Sequence, residues 1–386
     1  MVRNQKLHKI IIYILVFLFT LHFTPAIYIN SSFLGQFLKA NQVGYIYTIA
    51  SILTIIGFIA IRPILSKYGN YKTLLALVLV EFIALLTLAF YKDPLLLIAA
   101  FIVSFMVTSI AFFNIDIFLE NVSTNKDTGS IRGVFLTSLN TAFIIGPLMT
   151  GLVLTNGDFW KVYLLGAILL LPVIYILVRY LGSFHDPKYK DIDFFKTAKK
   201  IYRNHDLYSI FSSGFILRFF YAWMIIYTPI FLHQHIGFSF SEVSFIIGIA
   251  LIAFVLLEAP LGYLADKYVG EKEILTAGFI ITALATTLMT FTTEKNFILW
   301  AVILFVTRVG ASMIEVMTET YLFKKINSTN ISIMGFFRII RPFAYILAPT
   351  IASLLLLSID LKYIFVVLGA IMLFGLRYSL TITDTK

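Results

Sequence analysis

Twelve apolar segments, each long enough to cross a lipid bilayer as a helix, constrain the fold of this chain more than any other feature. A membrane-spanning helix needs about 20 predominantly apolar residues, and hydrophobic residues make up 60% of this sequence. Charged residues make up 13%, against about a quarter in a soluble domain, which excludes an ordinary cytosolic enzyme. The sequence therefore predicts an all-α integral membrane protein with twelve transmembrane helices. The predicted spans are residues 9–30, 43–61, 73–91, 95–119, 132–155, 159–180, 208–232, 241–262, 273–292, 296–319, 331–357 and 361–380.

The chain repeats itself at an offset of about 200 residues, which indicates two similar halves. Residues 42–46 have a counterpart in residues 242–246, and Thr24-Pro25 has one in Thr228-Pro229. Because six helices return the chain to the side on which it started, the two repeats are parallel in the membrane. We therefore expect an N-terminal six-helix half over residues 1–180, a linker over 181–206 and a C-terminal six-helix half over 207–386.

The distribution of Lys and Arg predicts the orientation of the chain. The net charge of +10 is typical of nucleic-acid binding as well, but the basic residues lie in short loops between apolar segments. Loops rich in Lys and Arg stay on the cytoplasmic side, so no nucleic-acid partner is expected. Both termini are predicted to be cytoplasmic, in a multi-pass protein of the cell membrane. The basic loops hold Arg3, Lys6, Lys9, Arg62, Lys67, Lys72, Lys126, Lys267, Lys272, Lys324 and Lys325, whereas the opposite loops hold Lys39, Lys92, Lys161, Lys295 and Lys362.

Two polar segments border the spans. The basic segment 1–9 precedes an apolar run, as in a signal peptide, but the run 10–29 has span length and no small-residue cleavage site follows it. We expect it to be a retained first helix. The linker 181–206 has apolar residues at the spacing of a short amphipathic helix, which would lie on the cytoplasmic membrane surface. A solvated tether between the halves is the alternative.

A short loop motif between the eighth and ninth spans carries a family resemblance. Residues 261–272 read LGYLADKYVGEK and contain Gly262, Asp266, Lys267 and Gly270. This resembles the loop signature of the major facilitator superfamily, G-x-L-A-D-[RK]-x-G-[RK]-[RK]. Glycine at 262 allows two helices to approach closely, and glycine at 270 allows a turn that a Cβ would obstruct. A degraded copy at residues 65–72 retains only part of the pattern, including Lys67 and Gly69.

The resemblance implies a secondary transporter in which two six-helix halves rock about a site near the middle of the membrane. Such a protein moves a small-molecule solute, needs no cofactor and is expected to act as a monomer. No nucleotide-binding loop occurs, so an ion gradient, most simply of protons, would supply the energy. The segment 146–151 is similar to the Gly-Pro motif of proton-driven antiporters, with Thr150 in place of a glycine. Multidrug efflux by proton antiport is therefore the alternative function.

Ionisable residues inside the predicted spans are the candidates for function, because each costs about 2.5–3.5 kcal/mol on insertion scales. Unpaired and facing lipid, they would together cost more than the roughly 5–15 kcal/mol by which proteins are stable. They must therefore face a polar cavity or one another. They are His22, Glu81, Asp116, Arg218, Glu258, Arg308, Glu315, Arg338 and Arg341.

We divide the candidates into a cytoplasmic gate and a substrate or ion pathway. In the superfamily the loop motif pairs with acidic residues at nearby helix ends and holds the outward-facing state. By that resemblance the gate comprises Lys67, Gly69, Gly262, Asp266, Lys267 and Gly270 with Asp116, Glu120 and Glu319. The pathway comprises His22, Glu81, Arg218, Glu258, Arg308, Glu315, Arg338 and Arg341.

Within the pathway the sequence leaves alternatives open. An Arg–Glu pair that only holds the seventh, eighth and tenth helices together would also explain these charges. Glu81 and Glu258 have no obvious basic neighbour in sequence and are the first candidates for proton coupling. The surplus of arginine in the second half favours an anionic or zwitterionic solute, because guanidinium stays charged and matches carboxylate or phosphate oxygens.

Two other classes of membrane protein fit less well. An intramembrane enzyme needs a nucleophile with a base or a metal cluster, but His22 is the only histidine inside a span and no HExxH motif occurs. A channel needs a filter or a ring of like residues, and none is apparent. His233 and His235 have no third ligand nearby in sequence, and the chain has no cysteine, so no metal site is expected.

Overall fold

A computed structural model of the chain describes residues 2–122, 128–154, 157–182, 194–325 and 331–383. Regular structure within these ranges is helical, without a strand. The helices are α1 (Val2–Ile27), α2 (Asn30–Leu34), α3 (Ala40–Tyr68), α4 (Asn70–Phe90), α5 (Pro94–Val122), α6 (Thr128–Val153), α7 (Phe159–Tyr180), α8 (Phe194–Arg203), α9 (His205–Ile230), α10 (Phe240–Lys267), α11 (Glu271–Phe291), α12 (Phe297–Lys325), α13 (Ile331–Leu355), α14 (Ile364–Phe374) and α15 (Leu376–Ser379).

These helices account for all twelve predicted spans. Ten stretches are long and apolar enough to cross a membrane, and α6 and α13 contribute shorter apolar stretches, Thr137–Val153 and Ile340–Leu355. The last predicted span is not one continuous α-helix, since it consists of a 3₁₀ turn at Leu361–Tyr363 followed by α14 and α15. The predicted all-α membrane fold is confirmed.

The chain divides into two compact units. The first comprises residues 1–37 and 46–190, and the second comprises residues 38–45 and 191–386. In the first unit α1 packs against α5, α6 and α7, and α4 packs against α5 and α7. In the second unit α12 packs against α9, α10 and α11, while α9 also packs against α13 and α11 against α14.

The two loops of the motif share one backbone feature. Gly69 precedes α4 with φ +80°, and Gly270 precedes α11 with φ +102°. Positive φ is costly for residues that carry a Cβ, so the turn predicted at Gly270 is confirmed and recurs at Gly69. The helices also extend past the predicted spans, because polar residues beyond the membrane continue them. As a result Gly69 alone separates α3 from α4.

Two helices approach closely at Gly278 and Gly310, and not at Gly262, where the sequence predicted it. A Cβ added to Gly262 would meet nothing nearer than Val316 Cγ1 at 4.0 Å among the described atoms, which is an ordinary contact. A Cβ on Gly278 would lie 2.9 Å from the carbonyl oxygen of Gly310, and one on Gly310 would lie 2.7 Å from that of Gly278. The close approach expected at Gly262 is therefore found between α11 and α12 instead, where small residues bring the two backbones together.

Hydroxyl groups join the helices that carry the repeated Thr-Pro pairs. Thr150 on α6 donates a hydrogen bond to the carbonyl oxygen of Pro25 at 2.6 Å, and Thr24 donates one to the carbonyl of Ala142 at 3.0 Å. In the second unit, Tyr227 on α9 donates to the carbonyl of Pro349 at 3.2 Å. The threonine that departs from the antiporter motif thus links α1 to α6.

The linker contains the predicted helix, α8. Thr197 and Ile201 on one face are buried, while Lys196, Lys199 and Lys200 are exposed. The buried face packs against α9 and α13 in the second unit. The amphipathic helix is thus confirmed, and its position on the membrane surface stays a prediction.

Candidate functional site

The second unit contains a network of charged side chains between α9 and α12. Arg218 on α9 places Nη1 2.7 Å from Glu315 Oε1 and Nη2 3.6 Å from Glu319 Oε1. Tyr221, one turn along α9, donates a hydrogen bond to Glu315 Oε2 at 2.7 Å. Glu315 and Glu319 are four residues apart, so they project from the same face of α12. Both oxygens of Glu315 are therefore bonded to α9.

This network bears on the two interpretations of Arg218 that the sequence leaves open. The Arg218 guanidinium lies beside the carboxylates of Glu315 and Glu319, so with all three groups ionised their net charge is negative. An Arg–Glu pair joining the seventh and tenth spans is present, as one interpretation of the sequence proposed. Tyr221 was not among the predicted residues, although its position three residues after Arg218 places it on the same helical face.

Arg308 on α12 is in a different environment from Arg218. Arg308 is buried, with 3% of its surface exposed to solvent. Its guanidinium carbon lies 5.4 Å from the centre of the Phe220 ring. Nη1 has no hydrogen-bond partner, and no carboxylate lies within ion-pair distance, among the described residues. Arg308 precedes Glu315 by two helical turns, about 10 Å along the axis. It is thus a buried cation without an ion pair among the described residues, although Tyr221 of the Arg218 network lies close enough to interact with it electrostatically.

The first unit contains a second buried polar cluster. His22 on α1 and Glu81 on α4 are each 1% exposed, and His22 Nε2 lies 3.6 Å from Glu81 Oε1. Ser104 on α5 donates a hydrogen bond to the same carboxylate oxygen at 2.7 Å. His22 Nδ1 is hydrogen-bonded to the carbonyl oxygen of Phe19. Three helices therefore contribute to one site, which the sequence did not indicate, since Glu81 has no basic neighbour along the chain.

Aromatic rings surround the histidine of this cluster. The His22 ring lies 4.6 Å from the ring of Phe19 and 5.4 Å from that of Phe23, measured between centroids. Phe23 in turn packs edge-on against Phe112 on α5 and Phe143 on α6. The cluster is thus a small polar site with a largely aromatic wall.

The remaining predicted residues lie on several helices, and the side chains of some are outside the described part of the chain. Asp116 on α5 and Glu258 on α10 are half-buried and both have interaction partners. Arg341 on α13 is exposed, with its guanidinium 5.8 Å from the ring of Tyr345. Lys67 lies 5.1 Å from the ring of Tyr68. The side chains of Glu120, Asp266, Lys267 and Arg338 are outside the described part of the chain.

Comparison with known proteins agrees with the fold. The sequence profile of the Major Facilitator Superfamily matches residues 10–238 and 210–384. A bacterial homolog of the human lysosomal transporter Spinster, solved inward-facing and unoccupied, has a TM-score of 0.71 at 12% identity, over 98% of this chain and 93% of its own. The nucleoside transporter NupG has a TM-score of 0.71 at 15% identity, over 97% of this chain and 100% of its own. At such identities the likeness concerns the fold. No curated protein matches the sequence.

Proposed function

The chain belongs to the major facilitator superfamily, and on this premise we propose that it is a proton-coupled secondary transporter of a small anionic or zwitterionic solute. Transport would proceed by alternating access of a site near the middle of the membrane. The observation that carries the proposal about the solute is the environment of Arg308.

The free energy of burying Arg308 is not balanced by its described neighbours. Arg308 lies near the middle of the span Phe297–Leu322, where an arginine costs about 2.5–3.5 kcal/mol on insertion scales. Cation–π contact with Phe220 returns about 0.5–2 kcal/mol. Guanidinium does not deprotonate in proteins, so the charge cannot be removed by titration. A carboxylate or phosphate of a bound solute would supply the missing partner.

Arg218 does not share this role in the proposal. Glu315 and Glu319 already lie beside its guanidinium, so an anionic solute at Arg218 would meet a net negative charge. Of the arginines on α9 and α12, the proposal therefore assigns anion binding to Arg308 alone. A zwitterionic solute remains compatible, since its cationic end would be attracted to the carboxylates two turns along α12.

The test is a transport screen with purified protein in liposomes, with and without a pH gradient. The panel contains organic acids, sugar phosphates and amino acids, and lipophilic cations for comparison. Arg308→Gln should abolish uptake of the transported anion, while Arg308→Lys, which keeps the charge and loses the fork, should retain part of it. Arg179→Gln is the matched control. Like Arg308, Arg179 lies beside an aromatic ring, at 5.8 Å from the centre of the Tyr180 ring, but it is exposed. Undiminished anion transport by Arg308→Gln would refute the assignment.

Multidrug efflux is the second candidate, favoured by the aromatic wall beside Glu81. A lipophilic cation needs a carboxylate among apolar groups, and Glu81 has an oxygen, Oε2, without a hydrogen-bond partner among the described residues. Because Glu81 is 1% exposed, the site would have to open for a cation to reach it. The same liposomes distinguish the two functions. Efflux of lipophilic cations that is lost in Glu81→Gln and kept in Arg308→Gln, with no anion transported by the parent protein, would establish efflux instead.

The remaining parts of the proposal follow from the sequence. The Lys and Arg distribution supports a cell-membrane protein with cytoplasmic termini, and the repeat supports functional halves at residues 1–180 and 207–386 joined by the linker. The protein is proposed to act as a monomer. The gate is proposed to comprise the loop-motif residues with Asp116, Glu120 and Glu319.

A further inference from the structure

We infer that His22 and Glu81 together form a binding site for a single proton, with Ser104 as the residue that positions the carboxylate. The inference rests on the proton-coupled transport proposed above and assigns the coupling proton to a pair of side chains. The argument depends on which atoms of the cluster are able to carry hydrogen.

The contact between His22 and Phe19 determines the tautomer of the imidazole. A carbonyl oxygen only accepts hydrogen bonds, so His22 Nδ1, which contacts the carbonyl of Phe19, must be the donor. A neutral imidazole with a proton on Nδ1 has a bare lone pair on Nε2. That lone pair faces Glu81 Oε1 at 3.6 Å. If the carboxylate is also ionised, two acceptors face each other and attract only when a proton is added.

The hydrogen bond from Ser104 limits where the added proton can be bound. Because the hydroxyl donates to Glu81 Oε1 at 2.7 Å, this oxygen is an acceptor and the carboxyl proton is placed on the other oxygen. Glu81 Oε2 and His22 Nε2 have no hydrogen-bond partner among the described residues. The proton therefore has two alternative positions. On Nε2 it makes an imidazolium–carboxylate pair, and on Oε2 it makes a neutral imidazole beside a neutral acid.

Few other charges influence the site. No Lys or Arg of the described residues lies within ion-pair distance of Glu81. Among helices packed against α1 and α4, the stretch Thr137–Val153 of α6 contains no titratable residue. Tyr163 on α7 is bonded to Asn30, and Tyr47 on α3 packs against Phe101 of α5. Asp116 is twelve residues beyond Ser104, about 18 Å along α5.

The occupied and empty forms of the site differ in charge. With the proton bound, the pair is neutral overall in either arrangement, and a neutral pair is compatible with a dry environment. Without the proton, the pair carries one negative charge in a site whose two residues are each 1% exposed. Burying an unpaired charge is strongly unfavourable, so the empty form needs contact with water. A carrier with such a site would change conformation while the proton is bound. It would release or take up the proton only when water reaches His22 and Glu81.

The protonation of the pair can be measured without a transported solute. Intact protein in lipid nanodiscs is labelled with ¹⁵N-histidine, and His22→Gln identifies the signal of His22 among the six histidines. Infrared difference spectra report the C=O stretch of a protonated Glu81, identified with Glu81→Gln. We expect the pair to gain one proton on acidification, with Nδ1 protonated throughout. Glu81→Gln should abolish the titration of His22, because its amide can donate to Nε2.

A second measurement links the site to charge movement across the membrane. A rapid pH change over proteoliposomes on a solid support, with the proton as the only ligand, should displace charge in the parent protein. Glu81→Gln and His22→Gln should reduce this current to the level of protein-free vesicles. Glu294→Gln makes the same chemical change at an exposed position and should leave the current unchanged.

Three results would overturn the inference. In the first, the His22–Glu81 pair keeps one protonation state over the whole pH range. In the second, Glu81→Gln leaves the titration of His22 unchanged. In the third, the pH-jump currents persist in both Glu81→Gln and His22→Gln. Failure of the transport proposal is distinguishable from these. A protein that binds the proton at this pair but moves the solute of the liposome screen independently of a pH gradient would disprove proton-coupled transport and leave the proton site intact.

Discussion

Arg218 and Glu315 form a 2.7 Å ion pair between α9 and α12, with about a fifth of each side chain exposed. The pair does more than neutralise one charge. Glu315 also accepts a hydrogen bond from Tyr221, and Glu319 lies one helical turn away at 3.6 Å from the same guanidinium. The ion pairs and the hydrogen bond between α9 and α12 therefore fix how these two helices, which are far apart in sequence, pack against each other.

Removing one partner of this pair should destabilise the protein. Arg218→Met leaves Glu315 and Glu319 without their cation, and we expect a loss of about 2 kcal/mol, between the 0–1 of exposed pairs and the 3–5 of fully buried ones. Thermal unfolding in detergent measures the effect. Lys161→Gln is the matched control, since it breaks the 2.6 Å pair of Lys161 with Asp158, whose side chains are more exposed, and it should cost less than 1 kcal/mol. Equal effects would show that the α9–α12 network adds nothing to stability.

The contact between α11 and α12 should not tolerate a methyl group. In Gly310→Ala the new Cβ would lie 2.7 Å from the carbonyl oxygen of Gly278 and the backbone nitrogen of Thr282. Overpacking of this kind costs about 1–3 kcal/mol. Gly262→Ala, where the nearest described atom is 4.0 Å away, should unfold at nearly the temperature of the parent. A Gly262→Ala variant less stable than Gly310→Ala would contradict the packing described here.

The turn glycines should resist substitution because of their backbone conformation. Gly69→Ala and Gly270→Ala force a Cβ into a backbone region that is essentially restricted to glycine, at φ +80°, ψ 163° and φ +102°, ψ 165°, which costs about 1–3 kcal/mol. Gly35, at φ −64°, provides the control, since Gly35→Ala needs no change of backbone. Unfolding temperatures compared across the three variants test the prediction, which fails if all three are alike.

The proposed gate can be tested through Asp266. If Asp266 stabilises the outward-facing state on the cytoplasmic side, Asp266→Asn should shift the protein toward the inward-facing state. The chain has no cysteine, so a pair introduced across the cytoplasmic mouth reports the shift by loss of cross-linking without background. Asp93→Asn, in the exposed turn before α5, should leave cross-linking unchanged. The gate assignment is wrong if Asp266→Asn also leaves it unchanged.

The sequence predicted what depends on local composition and failed to predict what depends on packing. Hydropathy located all twelve spans, because a bilayer imposes one length and one polarity on each. It underestimated α10, which continues to Lys267, since residues beyond the hydrocarbon region form helix without being apolar. The turn at Gly270 was predicted because positive φ is a property of the residue itself.

The clusters required the folded structure. The stripe of Arg308, Glu315 and Glu319 on one helix face is visible in the sequence, but the choice of Arg218 as the partner of Glu315 depends on how α9 packs against α12. The pairing of His22 with Glu81 had no signal at all, since α1 and α4 meet through long-range packing and the repeat offers no counterpart to compare. Close approach at Gly278 and Gly310 was missed for the same reason.

The tight connections at Gly69 and Gly270 also restrict where the protein can be labelled. An epitope or fluorophore inserted at either site would have to unwind the first turn of α4 or α11, because no spare backbone separates Gly69 or Gly270 from the helix that follows it. Residues 292–296, between α11 and α12, are outside any helix, and inserted sequence is best tolerated in exposed connections of this kind. A probe placed there would report on the second unit while leaving both glycine turns in their native geometry.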